Sequence, residues 1–134
     1  MIQGSCLCKG VAFQVLSFKP HTTNCHCSMC RKFHGAAFAT YAVADKDNLQ
    51  ILSGQSLIKK FTADNSSIRH FCKQCGSSLF FEDNINAVDI DIALGVMDSE
   101  ISEKPEANIY TESTPSWSII SDILPKFPKN HNLD

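Results

Sequence analysis

A mainly β fold stapled by zinc is what the sequence predicts, on three observations. Several short runs alternate apolar and polar residues, no long segment keeps a helical period, and seven cysteines fall into three tight clusters. The first run, residues 11–16, places Val11, Phe13 and Val15 on one side of a half-buried strand. Residues 38–43, 49–52, 57–61 and 79–81 read as further short strands. Residues 88–94 alternate most clearly, with Val88, Ile90, Ile92 and Leu94 against Asp89, Asp91 and Ala93. Side chains on the wet face of a strand are solvated, so the two aspartates are assigned no chemistry. Gly54, in a Ser-Gly-Gln turn, separates two of the runs, and residues 62–67 form a polar loop. A short helical turn is expected only within 115–124. No linker, repeat or low-complexity stretch interrupts the chain, which reads as one domain over 1–134.

Composition bounds the function. With 134 residues, 43% hydrophobic and 19% charged, the chain is neither disordered nor collagen-like. Folding at this size buries roughly two-thirds of the unfolded surface, so smallness alone does not force the use of a metal. Twelve Lys and Arg against fourteen Asp and Glu leave a net charge of −2 with no basic block, which disfavours nucleic acid and anionic membranes as partners. No apolar run reaches membrane-spanning length. The first ten residues lack the basic and then apolar segments of a secretory signal, so a reducing, cytoplasmic location is expected.

The cysteines fall as Cys6 and Cys8, then Cys25, Cys27 and Cys30, then Cys72 and Cys75. Neighbours this close meet disulfide geometry only with strain, and an odd total leaves one thiol over. Seven buried cysteines acting as small hydrophobes would not cluster. Short C-x-C and C-x2-C spacings suit sulfurs converging on one ion, and an all-thiolate set selects zinc, with an iron–sulfur cluster as the alternative. Zinc takes about four ligands, and the clusters hold two, three and two. Adding either pair to the triple makes five ligands and strands the other pair. Joining the pairs makes a closed site of Cys6, Cys8, Cys72 and Cys75, a structural zinc spanning more than sixty residues. Cys25, Cys27 and Cys30 then hold a second zinc three ways, with a position open to water or substrate. Closure of that position by His26, His34 or a carboxylate, giving an inert site, is the competing reading. Gly76 after Cys75 suits the positive φ of a metal-binding knuckle, and Gly10 stands in a similar place after Cys8.

These motifs resemble a known family. Gly4-Ser5-Cys6-Leu7-Cys8-Lys9-Gly10-Val11, then Cys25-His26-Cys27-Ser28-Met29-Cys30-Arg31-Lys32 with Gly35-Ala36, and Phe71-Cys72-Lys73-Gln74-Cys75-Gly76-Ser77 are similar to the glutathione-dependent formaldehyde-activating enzyme family. Ile109-Tyr110 with Pro115, Trp117, Asp122, Leu124 and Pro125 resemble its C-terminal signature. The resemblance implies a β-tent-like fold of stacked antiparallel sheets with short helical turns. It also implies two zincs per chain, structural at the pairs and catalytic at the triple. It departs at Asn108, where a His often precedes the Ile-Tyr pair.

Three thiolates give Zn²⁺ a formal charge of −1, which weakens it as an activator of water. A substrate thiol would be a soft fourth ligand that stays nucleophilic. That points to chemistry at sulfur, and the reaction that the resemblance implies fits it: a zinc-dependent carbon–sulfur lyase or synthase step joining glutathione and formaldehyde as S-hydroxymethylglutathione. His26 or His34 would handle protons, unless they are surface or supporting residues. Arg31 and Lys32 would attract a glutathione carboxylate, or stand as a solvated pair. Trp117 is either a cleft wall or a core tryptophan, and Met29 is a spacer. His21, His70 and His131 show no partner in sequence. Two other classes compete: a zinc-stabilised protein-interaction module, and a thiol redox enzyme using the triple as nucleophile and resolving cysteine. No oligomeric state is assigned.

Overall fold

A computed structural model describes residues 1–131; residues 132–134, the end of the expected domain, lie outside the described residues. Among the described residues ten strands and one α-helix form. They are β1 (Ile2–Ser5), β2 (Ala12–Val15), β3 (Thr23–Cys25), α1 (Ser28–His34), β4 (Ala39–Asp45), β5 (Leu49–Ser53), β6 (Ile58–Thr62), β7 (Ile68–Cys72), β8 (Ser78–Glu82), β9 (Asp89–Ala93) and β10 (Ala107–Ile109). The fold is mainly β, and each of the six alternating runs is a strand. Within 115–124 no helix forms, only isolated turns, the first closed by Ser118 N–H on the Pro115 carbonyl at 3.0 Å; a 3-10 turn lies earlier, at Thr111–Ser113. No helix among the described residues is long and apolar enough to cross a membrane.

The chain divides into two compact units, the first Met1–Pro20 with Ala42–Ser102, the second His21–Tyr41 with the chain from Glu103 onward. In the first, β1, β2 and β5 form an antiparallel sheet. It stacks on a second layer in which β6, β7, β8 and β9 pair in succession. Period-two alternation explains the stacking: Val11, Phe13 and Val15 are 0% exposed and meet Leu79, Phe80, Ile90 and Ile92 of the facing layer. Phe13 and Phe80 pack edge to face at 5.0 Å. Gly54 turns the chain between β5 and β6 at φ 79°, and a Cβ there would lie 2.0 Å from the Gly10 carbonyl oxygen, so only glycine fits.

The polar face of β9 is not open to water as the pattern suggests. Asp89 pairs with Lys19 and accepts from Asn86 Nδ2 at 2.8 Å. Asp91 is half-buried beside its cross-strand neighbour Phe81. Burial, with the negative charges of Asp83 and Asp89, pushes its carboxyl up to about 7. His70 is also buried, and its Nε2 lies 2.5 Å from Glu82, which Lys46 approaches at 2.6 Å.

In the second unit β3 lies between the first half of β4, antiparallel, and β10, parallel. The pairing is therefore mixed and not purely antiparallel. Cys25 stands opposite Ala39 and Thr23 opposite Tyr41, so Cys25 and Tyr41 share one face. Asn24, Thr40 and Asn108 share the other, where Thr40 Oγ1 donates to Asn24 Oδ1 at 2.6 Å and Asn24 Nδ2 donates to Asn108 Oδ1 at 3.2 Å. His21, unpartnered on paper, lies 2.9 Å from Glu106, and its ring packs against His131.

Candidate metal centres

In the first unit, two turns bring two pairs of sulfurs together. Cys6 N–H bonds the Val11 carbonyl at 3.0 Å and Cys72 N–H the Ser77 carbonyl at 3.0 Å, closing matching knuckles. In the second, Gly76 takes the positive φ, 81°, as its position suggests; in the first the left-handed residue is Lys9, at φ 62°, and not Gly10. Leu7 N–H donates to Ser77 Oγ at 2.9 Å and ties one knuckle to the other. The sulfurs of Cys6, Cys8, Cys72 and Cys75 all lie within 4.8 Å of one another. A tetrahedral ion with Zn–S bonds of about 2.3 Å requires sulfurs about 3.8 Å apart. Cys6 and Cys8 are 3.5 Å apart and Cys8 and Cys72 3.8 Å, so the set fits zinc.

Donors converge on these sulfurs, as they do on thiolates: Val11 N–H on Cys6 at 3.2 Å and Gln74 Nε2 on Cys8 at 3.4 Å. The Ser77 hydroxyl and the Cys8 and Ser77 backbones pull Cys75 down to about 5. The Gly10 backbone lowers Cys8, but burial and the neighbouring sulfurs override it and push that thiol up to about 11. Four sulfurs this crowded cannot all ionise without a cation among them.

The triple lies wholly in the second unit. Cys25 ends β3, Cys27 caps α1, and Cys30 lies one turn into the helix. Cys27 adopts extended backbone at φ −63°, ψ 153°, and its sulfur accepts from Cys30 N–H at 3.2 Å. α1 ends at Gly35 in the left-handed conformation, with Arg31, Lys32 and His34 in its last turn, where cations suit the helix dipole. The three sulfurs lie within 4.8 Å of one another, with Cys25 6% and Cys30 3% exposed. The Cys27 and Cys30 sulfurs, with burial, push the Cys25 thiol far above the ordinary range. This donor set also fits zinc, and among the described residues no fourth Cys, His, Asp or Glu joins it.

Neither histidine weighed as a closing ligand joins the three sulfurs. His26, 1% exposed, packs on Phe38 at 5.0 Å and donates from Nε2 to Asn108 Oδ1 at 3.0 Å. Asn108, where the family often carries His, is itself 3% exposed, so it holds His26 and does not line an open cleft. His34 Nε2 lies 2.8 Å from Tyr41 Oη, whose hydroxyl faces Cys30 Sγ at 3.9 Å. Tyr41 is thus a supporting residue that linear spacing misses. The only signal for it is the β3–β4 register, which places it on the Cys25 face.

Arg31, which follows Cys30 in α1, lines a hollow of about 380 Å³ with Lys32, Gly35, Ala36, Ala37 and Trp117. Trp117 is 66% exposed, which makes it a wall residue and not a core tryptophan.

Comparisons with known proteins bear on family and fold. The model of the glutathione-dependent formaldehyde-activating enzyme family matches residues 1–113. A Halomonas elongata protein, provisionally named as such an enzyme, is 30% identical over 125 residues, covering 87% of this chain and 79% of its own. An uncharacterized lyase of Schizosaccharomyces pombe is 29% identical over 79 residues, 59% of this chain and 56% of that one. In fold, the chain is similar to a crystal structure of a Rhodobacter sphaeroides protein, with a TM-score of 0.63 at 21% identity over 75% of this chain and 91% of the other.

Proposed function

Because the chain belongs to the glutathione-dependent formaldehyde-activating enzyme family, we propose that it is a zinc-dependent carbon–sulfur lyase working at Cys25, Cys27 and Cys30. Its reaction joins glutathione and formaldehyde as S-hydroxymethylglutathione, or cleaves that adduct. The observation that carries this reading is the triple itself, three clustered sulfurs that no fourth ligating side chain joins among the described residues. Cys6, Cys8, Cys72 and Cys75 hold a second, structural zinc in a closed site.

Bound by three thiolates, zinc would supply a soft position that favours the ionised form of a substrate thiol without quenching it. In the forward step the glutathione sulfur attacks the formaldehyde carbon. A C–S bond forms, the C=O π pair moves to oxygen, and the proton lost by the thiol ends on that oxygen. The chain's own part is positioning. Tyr41 faces Cys30 with His34 behind it, while Asn108 holds His26 at the back of the sheet. His26 and His34 are supporting groups in this reading and not the proton carriers.

The adduct also forms without catalysis, so the test is acceleration of glutathione–formaldehyde exchange above the blank, measured by magnetisation-transfer NMR for the wild type and for Cys27→Ser. Serine is a good helix cap, so α1 keeps its N-terminal bond while the thiolate is lost. Replacing an outer-shell group costs about 10–100-fold, so loss of a ligand should remove about 100-fold or more of the acceleration. Equal rates for the two proteins would refute the proposed reaction.

A further inference from the structure

The hollow lined by Arg31 has a composition that the metal chemistry does not use. Its lining combines two cations, Arg31 and Lys32, with the small residues Gly35, Ala36 and Ala37 and the exposed ring of Trp117, and includes no carboxylate. The Arg31 guanidinium is thinly engaged: Nη2 donates to the Ser113 carbonyl at 3.4 Å, and the buried Nε has no partner among the described residues. A buried cationic donor left unmatched is costly unless an anion comes to meet it. Arg31 follows Cys30 directly in α1, so their Cα atoms are about 3.8 Å apart. A cysteinyl peptide whose next residue is its C-terminal one likewise carries thiol and carboxylate on adjacent residues, so one such ligand presents a sulfur and an anion with the same spacing.

We propose that this hollow is a carboxylate subsite, in which Arg31, assisted by Lys32, binds a terminal carboxylate of a small peptidic thiol whose backbone lies along the Trp117 ring. The proposal rests on the reading of the triple as the site where a thiol reacts, and it adds what selects that thiol. Arginine's planar fork matches a carboxylate in two parallel hydrogen bonds, and Lys32 contributes a point charge. The small side chains of Gly35, Ala36 and Ala37 leave room for the peptide. A thiol without a carboxylate, such as 2-mercaptoethanol, would react at the same sulfurs but gain nothing here.

Trp117 is the chain's single tryptophan, so its fluorescence reports on this wall alone. The probe is S-methylglutathione, which has the carboxylates but no free thiol, so its binding does not depend on the proposed reaction. Titration of the zinc-loaded protein should give a saturable fluorescence change. Its Kd should rise at least tenfold in Arg31→Gln, rise by a smaller factor in Lys32→Gln, and weaken with added salt. S-Methylglutathione diethyl ester should bind at least tenfold more weakly than the acid. Lys32 is exposed, so its variant stays informative if Arg31→Gln folds poorly. No fluorescence change at millimolar probe, or equal affinity for acid and ester, would overturn the subsite. Binding of the probe as expected, with no acceleration of formaldehyde exchange, would uphold the subsite and remove the proposed reaction.

Discussion

Cys72→Ser should yield a protein that purifies with less zinc and shows neither a cooperative thermal transition nor dispersed amide NMR signals. Cys72 is 0% exposed at the end of β7, 3.8 Å from the sulfur of Cys8, which is 64 positions away in the chain. Binding energies of structural zinc, about 10–16 kcal/mol in small peptides, are as large as the whole stability of a typical domain, about 5–15 kcal/mol. The substitution also leaves a hydroxyl among sulfurs in a buried position. Cys27→Ser, by contrast, should keep a cooperative transition and dispersed amide signals outside α1, because the four-sulfur site is untouched. Circular dichroism melts and zinc-to-protein ratios of the two variants test the division of labour between the two cysteine groups. A Cys72→Ser protein that melts like the wild type would end the structural assignment.

Asp91→Asn should stabilise the protein in alkaline solution. The folded-state pKa of Asp91 stands at about 7 against an ordinary 3.8. The folded chain therefore binds more protons than the unfolded one between these values. The stability associated with the protonated carboxyl is fully present below 3.8 and is lost as pH rises through about 7. Burial is the leading cause, ahead of Asp83 and Asp89, and an uncharged amide escapes all three. The separation of the two pKa values corresponds to a ceiling of about 4 kcal/mol at pH 9, falling to about half that at pH 5.5. His70 and Glu82 act in the opposite direction. Burial, opposed by Glu82, lowers His70, while Lys46 and His70 hold Glu82 down against its own burial. Stability they contribute is therefore lost as pH falls, and it cancels when wild type and variant are compared at one pH. Urea denaturation from pH 5.5 to 9 checks this; an advantage that does not grow with pH would refute it.

Much of the architecture was legible because a strand with one wet face records its orientation every second residue, as in 11–16 and 88–94. The stretches missed lack that record. β3 and β10 have three residues each, too few to show a period, and α1 buries only Cys30 of its seven. Arg69 and His70, buried neighbours in β7, break the apolar pattern there. Stoichiometry alone suggested how the sulfurs divide, and they do gather as a four and a three. The roles of Tyr41 and Asn108 depend on which strands lie side by side, and the half-burial of Asp91 on what packs above a sheet face, neither of which linear spacing encodes. Trp117 could have been core or wall; only its exposure decides.

The sulfur of Cys27 closes the first turn of a seven-residue helix and belongs to the triple as well. So short a helix does not persist on its own in water, since isolated helices need about 12–15 residues. Its order should therefore follow ion occupancy, and hydrogen–deuterium exchange across Ser28–His34 would act as a built-in gauge of how much of the protein is loaded at a given free zinc concentration.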